Sequence, residues 1–296
     1  MVIFGRNVMD IIDMRIQPIF YESICKDKKE LEFRMNSFGV FKQSPYPYEE
    51  ILVEMDYAGV SRAALLPLDL TTTEGGWIVT NEQIAQIVGD LPERFIGFAS
   101  VDPRRDDAVD VLEYAFETLE LKGLSLAPQK QHFYPDEEFL NPIYECCIRH
   151  NRPVIFNAGL SWEPNAVTEY GHPLKFERVA IRYPELRFCL SHFAWPFVRE
   201  MVMLMIKYPN VYTDTSVLYL DSPEESMKRL FEVDMGPLWM DRSLHRQVMF
   251  ASNGPRFRQF KLIRGLDKIQ MRDYAREGLY FKNALRFLGE LKDDYD

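Results

Sequence analysis

No stretch of this chain approaches the roughly 18 consecutive apolar residues of a membrane span. Nor is there a Gly-x-Gly-x-x-Gly turn; Gly75-Gly76 is an ordinary loop pair, which weighs against an open doubly wound nucleotide-binding sheet. Cysteine is scarce. Cys25, Cys146, Cys147 and Cys189 show no metal-ligand spacing, and the adjacent Cys146 and Cys147 are a poor start for a disulfide framework. Reduced thiols and a cytoplasmic location are therefore expected. Arg6 and Asp10 interrupt the segment in which a secretory signal would need its apolar core. Cations are the minority charge. A net charge of −10 speaks against nucleic-acid and anionic-membrane partners, because both demand clustered Lys and Arg. It leaves room for a small acidic ligand in a locally positive pocket. Internal repeats, low-complexity tracts and glycine-serine linkers are also missing, so residues 1–296 read as one domain.

What is present is 47% hydrophobic residues, enough for a large core, arranged as short apolar runs between longer amphipathic ones. Strands are expected at 11–17, 62–68, 94–101, 123–127, 153–158, 186–193, 211–216 and 247–253. Helices are expected at 48–58, 77–88, from Asp102-Pro103 to about 121 with Asp102 as cap, from Asp136 or Asn141 to about 150, and at 172–183, 196–208 and 222–231. Residues 21–48 read as an irregular lid or binding loop, 71–76 as a loop, and 258–293 as a closing helical segment. Eight strands, nearly all separated by helices, imply an α/β fold of the (β/α)₈ barrel type.

In such a barrel the C-terminal strand ends carry the chemistry. Along Ile11–Gln17, strict alternation puts Ile12, Met14 and Ile16 on one face and Asp13, Arg15 and Gln17 on the other. The later strand ends supply Ser125, Asn157, His192, Asp214 and the Ser252-Asn253-Gly254-Pro255-Arg256 turn. So many polar strand ends are better explained by a pocket for a polar ligand than by an apolar core. Each group also has a structural reading. Arg15 neutralises Asp13, His192 is a hydrogen-bonded core histidine, Asp214 caps the next helix, and Asn157 and Asn253 fill a polar network. His132, His150, His172 and His245 read as loop or helix-end residues, and Tyr134, Phe193, Trp195 and Tyr219 as either pocket wall or loop packing.

Several segments in order carry a resemblance: Ile11–Gln17; Arg152-Pro153-Val154-Ile155-Phe156-Asn157-Ala158-Gly159; His172-Pro173; Tyr183-Pro184-Glu185-Leu186; Leu190-Ser191-His192; Pro209–Ser216; Phe250-Ala251-Ser252-Asn253-Gly254-Pro255; and Lys282–Gly289. Together they resemble the amidohydrolase superfamily, in its amidohydrolase-related (amidohydrolase 2) branch of metal-dependent hydrolases and non-oxidative decarboxylases. In that branch the first strand usually ends Asp-x-His-x-His, the fifth in His, the sixth in Ser-His, and the eighth in a Ser-Asp-x-Pro-like turn. This chain has Arg15 and Gln17 for the first two histidines, Asn157 for the fifth-strand histidine, Asn253 for the eighth-strand carboxylate, and Ser125 near a lysine often found on strand four. Only His192 stands as in the family.

Arginine has no acceptor for a cation, and neutral carboxamides are weak zinc ligands. No metal and no other cofactor is therefore expected. The resemblance then implies an amidohydrolase-like enzyme that hydrolyses an ester, lactone or C–C bond, or decarboxylates, a small carboxylate-bearing substrate. Arg15, His192 and Asp214 are the catalytic candidates: Arg15 as anchor and polariser, His192 as general acid or base, Asp214 or Asp13 orienting it. Asp13, Gln17, Ser125, Asn157, Asn253 and Arg256 are the substrate-binding candidates. The competing reading is a non-catalytic barrel that binds a small acid. Barrels of this size are often homo-oligomers, but no residue pattern marks an interface.

Overall fold

The computed structural model describes residues 10–163, 165–216 and 222–291. Eight short strands follow one another as β1 (Ile11–Ile16), β2 (Val60–Leu65), β3 (Phe95–Gly97 continued by Ala99–Ser100), β4 (Leu124–Leu126), β5 (Val154–Phe156), β6 (Phe188–Leu190), β7 (Val211–Asp214) and β8 (Val248–Met249). Every neighbouring pair is parallel, as strands joined through helices must be. The ring closes between its last and first strands. Met14 N–H donates to Phe250 O at 2.9 Å and Gln17 N–H to Gly254 O at 2.8 Å. This is the (β/α)₈ barrel expected from the alternation of elements.

Ile12, Met14, Ala64, Ile96, Phe98, Ile155, Cys189 and Met249 fill the barrel interior, with Phe287 beneath them. A second and larger core lies between strands and helices, and it takes Ile11, Ile16, Val60, Leu65 and Leu124. The division exposes a departure from strict alternation. The register of β1 against β2 shifts between Asp13 and Ile16. Ile12 and Met14 point inward and Asp13 outward, but Ile16 joins the outer core while Arg15 and Gln17 face the mouth. An irregularity in one strand flips the faces of all that follows it. Asp13 is therefore separated from Arg15 and Gln17.

Helices α1 (Lys28–Phe38), α2 (Tyr48–Ala58), α3 (Asn81–Asp90), α4 (Ala108–Glu117), α5 (Asn141–Arg149), α6 (Glu177–Arg182), α7 (Val198–Lys207), α8 (Pro223–Lys228), α9 (Gln259–Leu266) and α10 (Asn283–Leu288) surround the barrel. Helix α2 has the bounds read from the sequence and ends at Gly59, whose φ of +76° suits a residue without a side chain. Helix α1 occupies a segment expected to be irregular. Asp27 caps it through Lys29 N–H at 2.7 Å, and Gly39 terminates it. Its apolar contacts, Leu31, Met35 and Phe38 against Ile19, Phe20, Leu70 and Ile78, are only partly buried, its buried residues are Arg34 and Ser37, and the surrounding charge masked the periodicity. Asp102 does not cap α4, which starts six residues later. Instead it accepts from Thr72 N–H at 2.9 Å and from the Thr72 hydroxyl at 2.6 Å. Those bonds tie down the turn of a small hairpin, Leu68–Leu70 with Gly76–Ile78, where a loop and the start of a helix were expected. The closing segment is helical in pieces through α10; its residues 292–293 lie outside the described residues.

The loop after β5 leans on the loop after β6. Gly159 has φ +72°, and a Cβ there would stand 2.2 Å from Trp195 O. Gly159→Ala is expected to cost at least about 2 kcal/mol, from positive-φ strain plus the displaced backbone. Urea unfolding checks this, and an unchanged midpoint would show that the contact is easily relieved. No helix among the described residues is long and apolar enough to cross a membrane.

Candidate active site

At the C-terminal ends of the strands lies a narrow cavity, with about 70 Å³ open to the centre of a water-sized sphere. Its floor is polar. Arg15 and Gln17 come from β1, Ser125 from β4, Asn157 from β5, His192 from β6, and Asn253 and Arg256 from the turn after β8. Its upper wall comes from loops: Phe38 at the end of α1, Lys130 in a helical turn after β4, and Trp162 and Glu163 after β5. Leu66, Leu68, Ile78 and Leu126 give it an apolar flank.

Arg15 is the centre of the floor, and only 8% of it is exposed. Its Nε donates to Asn253 Oδ1 at 3.4 Å, one terminal nitrogen to Ser191 Oγ at 3.0 Å and the other to Asn157 Oδ1 at 3.2 Å. A guanidinium has five N–H groups, so one on each terminal nitrogen has no partner among the described residues. Burial lowers the Arg15 pKa while the Asp214 charge opposes that fall, and the group stays cationic at neutral pH.

His192 sits beside it, with φ +63°, followed by Phe193 and Ala194 also at positive φ. Three such residues in succession are strained and need outside support. Asp214 supplies it by accepting His192 N–H at 2.9 Å and Ser216 N–H at 3.0 Å. The ring nitrogen Nε2 lies 2.9 Å from Asn157 Oδ1. Arg15 can only donate, so that oxygen is the acceptor of both, and Nε2 carries the proton. Nδ1 lies 2.7 Å from the Ser216 hydroxyl oxygen, whose own proton goes to Asp214, and 3.2 Å from Ser216 O. Burial, and then the nearby Arg15 charge, push the His192 pKa down to about 3. The ring is therefore neutral at pH 7 and presents no lone pair to the cavity.

Two sequence candidates lie behind the cavity rather than on it. Asp13 is fully buried and accepts four bonds: Arg15 N–H at 3.1 Å, Ser252 N–H at 2.9 Å, Ser252 Oγ–H at 2.5 Å and Gln259 Nε2–H at 2.7 Å. Burial raises its pKa to about 6 against those bonds. Its side chain does not pair with the Arg15 guanidinium, so the simple Asp13–Arg15 ion pair is not what the fold builds. Asp214 is likewise fully buried and holds the His192 turn. Gln17 lines the cavity with a buried Oε1 that has no hydrogen-bond partner among the described residues. Ser125 and Asn253 line it too.

Arg256 packs over the Phe38 ring at 4.2 Å, donates to Phe38 O, and stands 3.8 Å from Glu163. Lys130 donates to Ser37 O and pairs with Glu74 at 3.3 Å. Both cations thus fasten the end of α1 over the mouth. Ser161 donates to Glu163 at 2.5 Å, and Glu163 is the one carboxylate lining the cavity among the described residues. Sequence reading missed Lys130, Glu163, Trp162, Phe38 and Ser191 as site residues. Ser191 had a signal, being half of the quoted Ser-His pair; the other four sit on connections whose direction no periodicity reveals. Of the aromatic candidates, Phe193 packs on Phe231 and Tyr134 on Tyr170, neither lines the cavity, and Tyr219 is outside the described residues.

Comparison with known proteins agrees with the fold. No curated protein matches the sequence. Among solved structures, an uncharacterised TIM-barrel protein from Bordetella bronchiseptica superposes with a TM-score of 0.75 at 20% identity, over 95% of this chain and 99% of that one. A 5-carboxyvanillate decarboxylase from Novosphingobium aromaticivorans, with bound manganese, gives 0.65 at 18% identity, over 96% and 99% of the two chains. A 2,6-dihydroxybenzoate decarboxylase from Rhizobium gives 0.65 at 13% identity, over 95% and 99%. The sequence profile described as Amidohydrolase matches residues 12–289, which run from β1 past α10 and take in every strand end of the cavity. The chain belongs to the amidohydrolase family.

Proposed function

We propose that this protein is a carboxy-lyase that acts without a divalent metal on a small, hydroxylated aromatic or unsaturated acid. The observation that carries the reading is Arg15: a buried cation on the cavity floor, fixed by three side chains, with one N–H left on each terminal nitrogen. Such a pair matches the two oxygens of a carboxylate. Gln17 and Ser125 offer further polar contacts, and the apolar flank suits a flat ring or chain. The fold shared with decarboxylases of aromatic acids supports the same reading.

A divalent metal such as the manganese of the Novosphingobium enzyme does not fit this mouth. An ion among Asn157, Ser191 and Asn253 would meet the Arg15 guanidinium that bonds all three. The neighbouring donors are neutral carboxamides and hydroxyls, and the one imidazole directs an N–H, not a lone pair, at Asn157. A site with nothing to turn water into hydroxide favours decarboxylation over hydrolysis, because loss of CO₂ needs a proton donor and no activated water. Glu163 is the group placed to give that proton. In the proposed step a proton passes from solvent by way of Glu163 to the substrate carbon, the bond to the carboxylate breaks with its electron pair returning to the substrate, and CO₂ leaves. His192 orients Asn157 and so Arg15.

Glu163→Gln is expected to lower turnover by at least about 100-fold, within the usual range for losing an acid–base group, and to leave acid binding nearly intact. CO₂ release and the thermal shift produced by a panel of hydroxylated aromatic acids read the two separately. Dialysis against a chelator should leave the rate unchanged. A rate abolished by chelation and restored by manganese would overturn the metal-free reading. Acid binding with no turnover of any panel member, unaltered by Glu163→Gln, would favour a barrel that only binds, the reading that the committed His192 nitrogens also allow.

A further inference from the structure

A second cluster of chemistry-bearing side chains lies on the outer ring of helices, away from the cavity. Cys146 and His150 are one turn apart on α5 and at its C-terminal end, so they project from the same face. Glu113 faces them from α4. His150 Nε2 is 2.5 Å from one Glu113 oxygen, Cys146 Sγ is 3.6 Å from the other, and the three donor atoms all lie within 4.8 Å of one another. Phe116 packs on the imidazole at 5.6 Å and fixes its plane. Cys146 is fully buried, whereas the Glu113 and His150 side chains are 30% and 20% exposed, so the cluster has a dry side and a wet side. None of the three lines the cavity.

We propose that Glu113, Cys146 and His150 form a site for a borderline-soft divalent cation, Zn²⁺ in the first instance, that clamps α4 to α5. One thiolate sulfur, one imidazole nitrogen and one carboxylate oxygen are the donor types zinc takes, and the wet side leaves a fourth position for water. The carboxylate and the thiolate together balance the charge of the ion. Two ligands on a common tetrahedral ion with bonds of roughly 2 Å stand roughly 3.3 Å apart, so the His150–Glu113 pair must open by under about 1 Å. The partly exposed Glu113 side chain can provide that movement. Burial and Glu113 keep the Cys146 thiol protonated at neutral pH. Zinc must displace that proton, so affinity rises with pH. Arg149, half exposed and bonded to Glu113, is the built-in competitor: it already holds the carboxylate the ion would take. This site is independent of the reading of the barrel mouth. It also means that zinc found in the purified protein says nothing about the mouth until Cys146 has been replaced.

The test is a Co²⁺ titration of the reduced, metal-stripped full-length protein, followed by absorbance. The expected result is a near-ultraviolet sulfur-to-cobalt charge-transfer band that saturates at one equivalent and is erased by Zn²⁺. Cys146→Ser should lose the band. Cys189→Ser should keep it, which separates this site from the thiol nearest the barrel mouth. His150→Ala should weaken binding by at least about 100-fold, beyond the range seen when only a supporting group is lost. Arg149→Ala should tighten it. No band in the wild-type protein, or a band that survives Cys146→Ser, would overturn the proposal.

Discussion

Arg15→Met is expected to weaken binding of every carboxylate in the panel by about 100-fold or more, while the same acids still raise the melting temperature of the wild-type protein. Charge-assisted hydrogen bonds contribute about 1.5–3 kcal/mol each, and a carboxylate on the two available N–H groups makes two of them. Losing both, with about 1.4 kcal/mol per factor of ten, gives that magnitude. Stability without ligand should move less, because two effects oppose. Asn157, Ser191 and Asn253 lose a donor, but the protein no longer has to bury a cation. A second consequence needs no ligand. The Arg15 charge is one of the causes holding the His192 pKa down, so in Arg15→Met the imidazole should titrate closer to its ordinary range. Imidazole NMR signals, assigned by comparison with His192→Asn, report it. Unchanged acid binding in Arg15→Met would remove the cation from the recognition scheme and shift attention to Lys130 and Arg256.

The barrel itself was legible because parallel strands and their crossover helices leave a plain record, with short buried runs separated by amphipathic ones. The floor of the cavity was legible for the same reason. A polar residue just past an apolar strand, such as Asn157 or Asn253, has few places to go except the mouth. Two kinds of information were not in that record. The irregularity in β1 is invisible to an alternation argument, and it alone sends Asp13 outward to Ser252 and Gln259 while Arg15 and Gln17 face the mouth. The upper wall depends on where loops fold back. Lys130 and Glu163 are placed by tertiary contacts to α1 and to Arg256, and in α1 the short apolar row of Leu31, Met35 and Phe38 is masked by the charged residues around it. Asp214 shows the limit from the other side. It was legible as a strand-end carboxylate, yet its Oδ1 accepts the His192 backbone N–H and holds a strained turn, while its Oδ2 faces the Cys189 thiol.

That turn makes the stability of the protein depend on pH in a direction that can be stated in advance. His192 titrates near 3 when folded and near 6.5 when unfolded. Between those values the unfolded chain holds a proton that the native state lacks, so stability rises with pH across the window and is lost as the medium is acidified. At 1.36 kcal/mol per unit the full effect is on the order of a few kcal/mol. Asp13 works against it. Its folded pKa of about 6 exceeds its ordinary value of 3.8, so the native state holds the extra proton and stability falls as pH rises from about 4 to 6, by about 3 kcal/mol. The two slopes partly cancel in the wild-type protein and separate in single variants. His192→Asn keeps a residue that tolerates positive φ and removes the imidazole. Its deficit relative to wild type, clear at pH 7 from the lost bonds to Asn157 and Ser216, should shrink steadily on acidification and be small by about pH 4. Asp13→Asn should do the opposite: it removes the charge that is costly above pH 6, so the wild-type advantage at low pH disappears as pH rises. Urea unfolding of the three proteins at pH 4, 5, 6 and 7 and fixed ionic strength measures both slopes. Parallel curves for wild type and His192→Asn would mean that the imidazole titrates in its ordinary range, which is the condition under which it could carry protons for the reaction and displace Glu163 from that role.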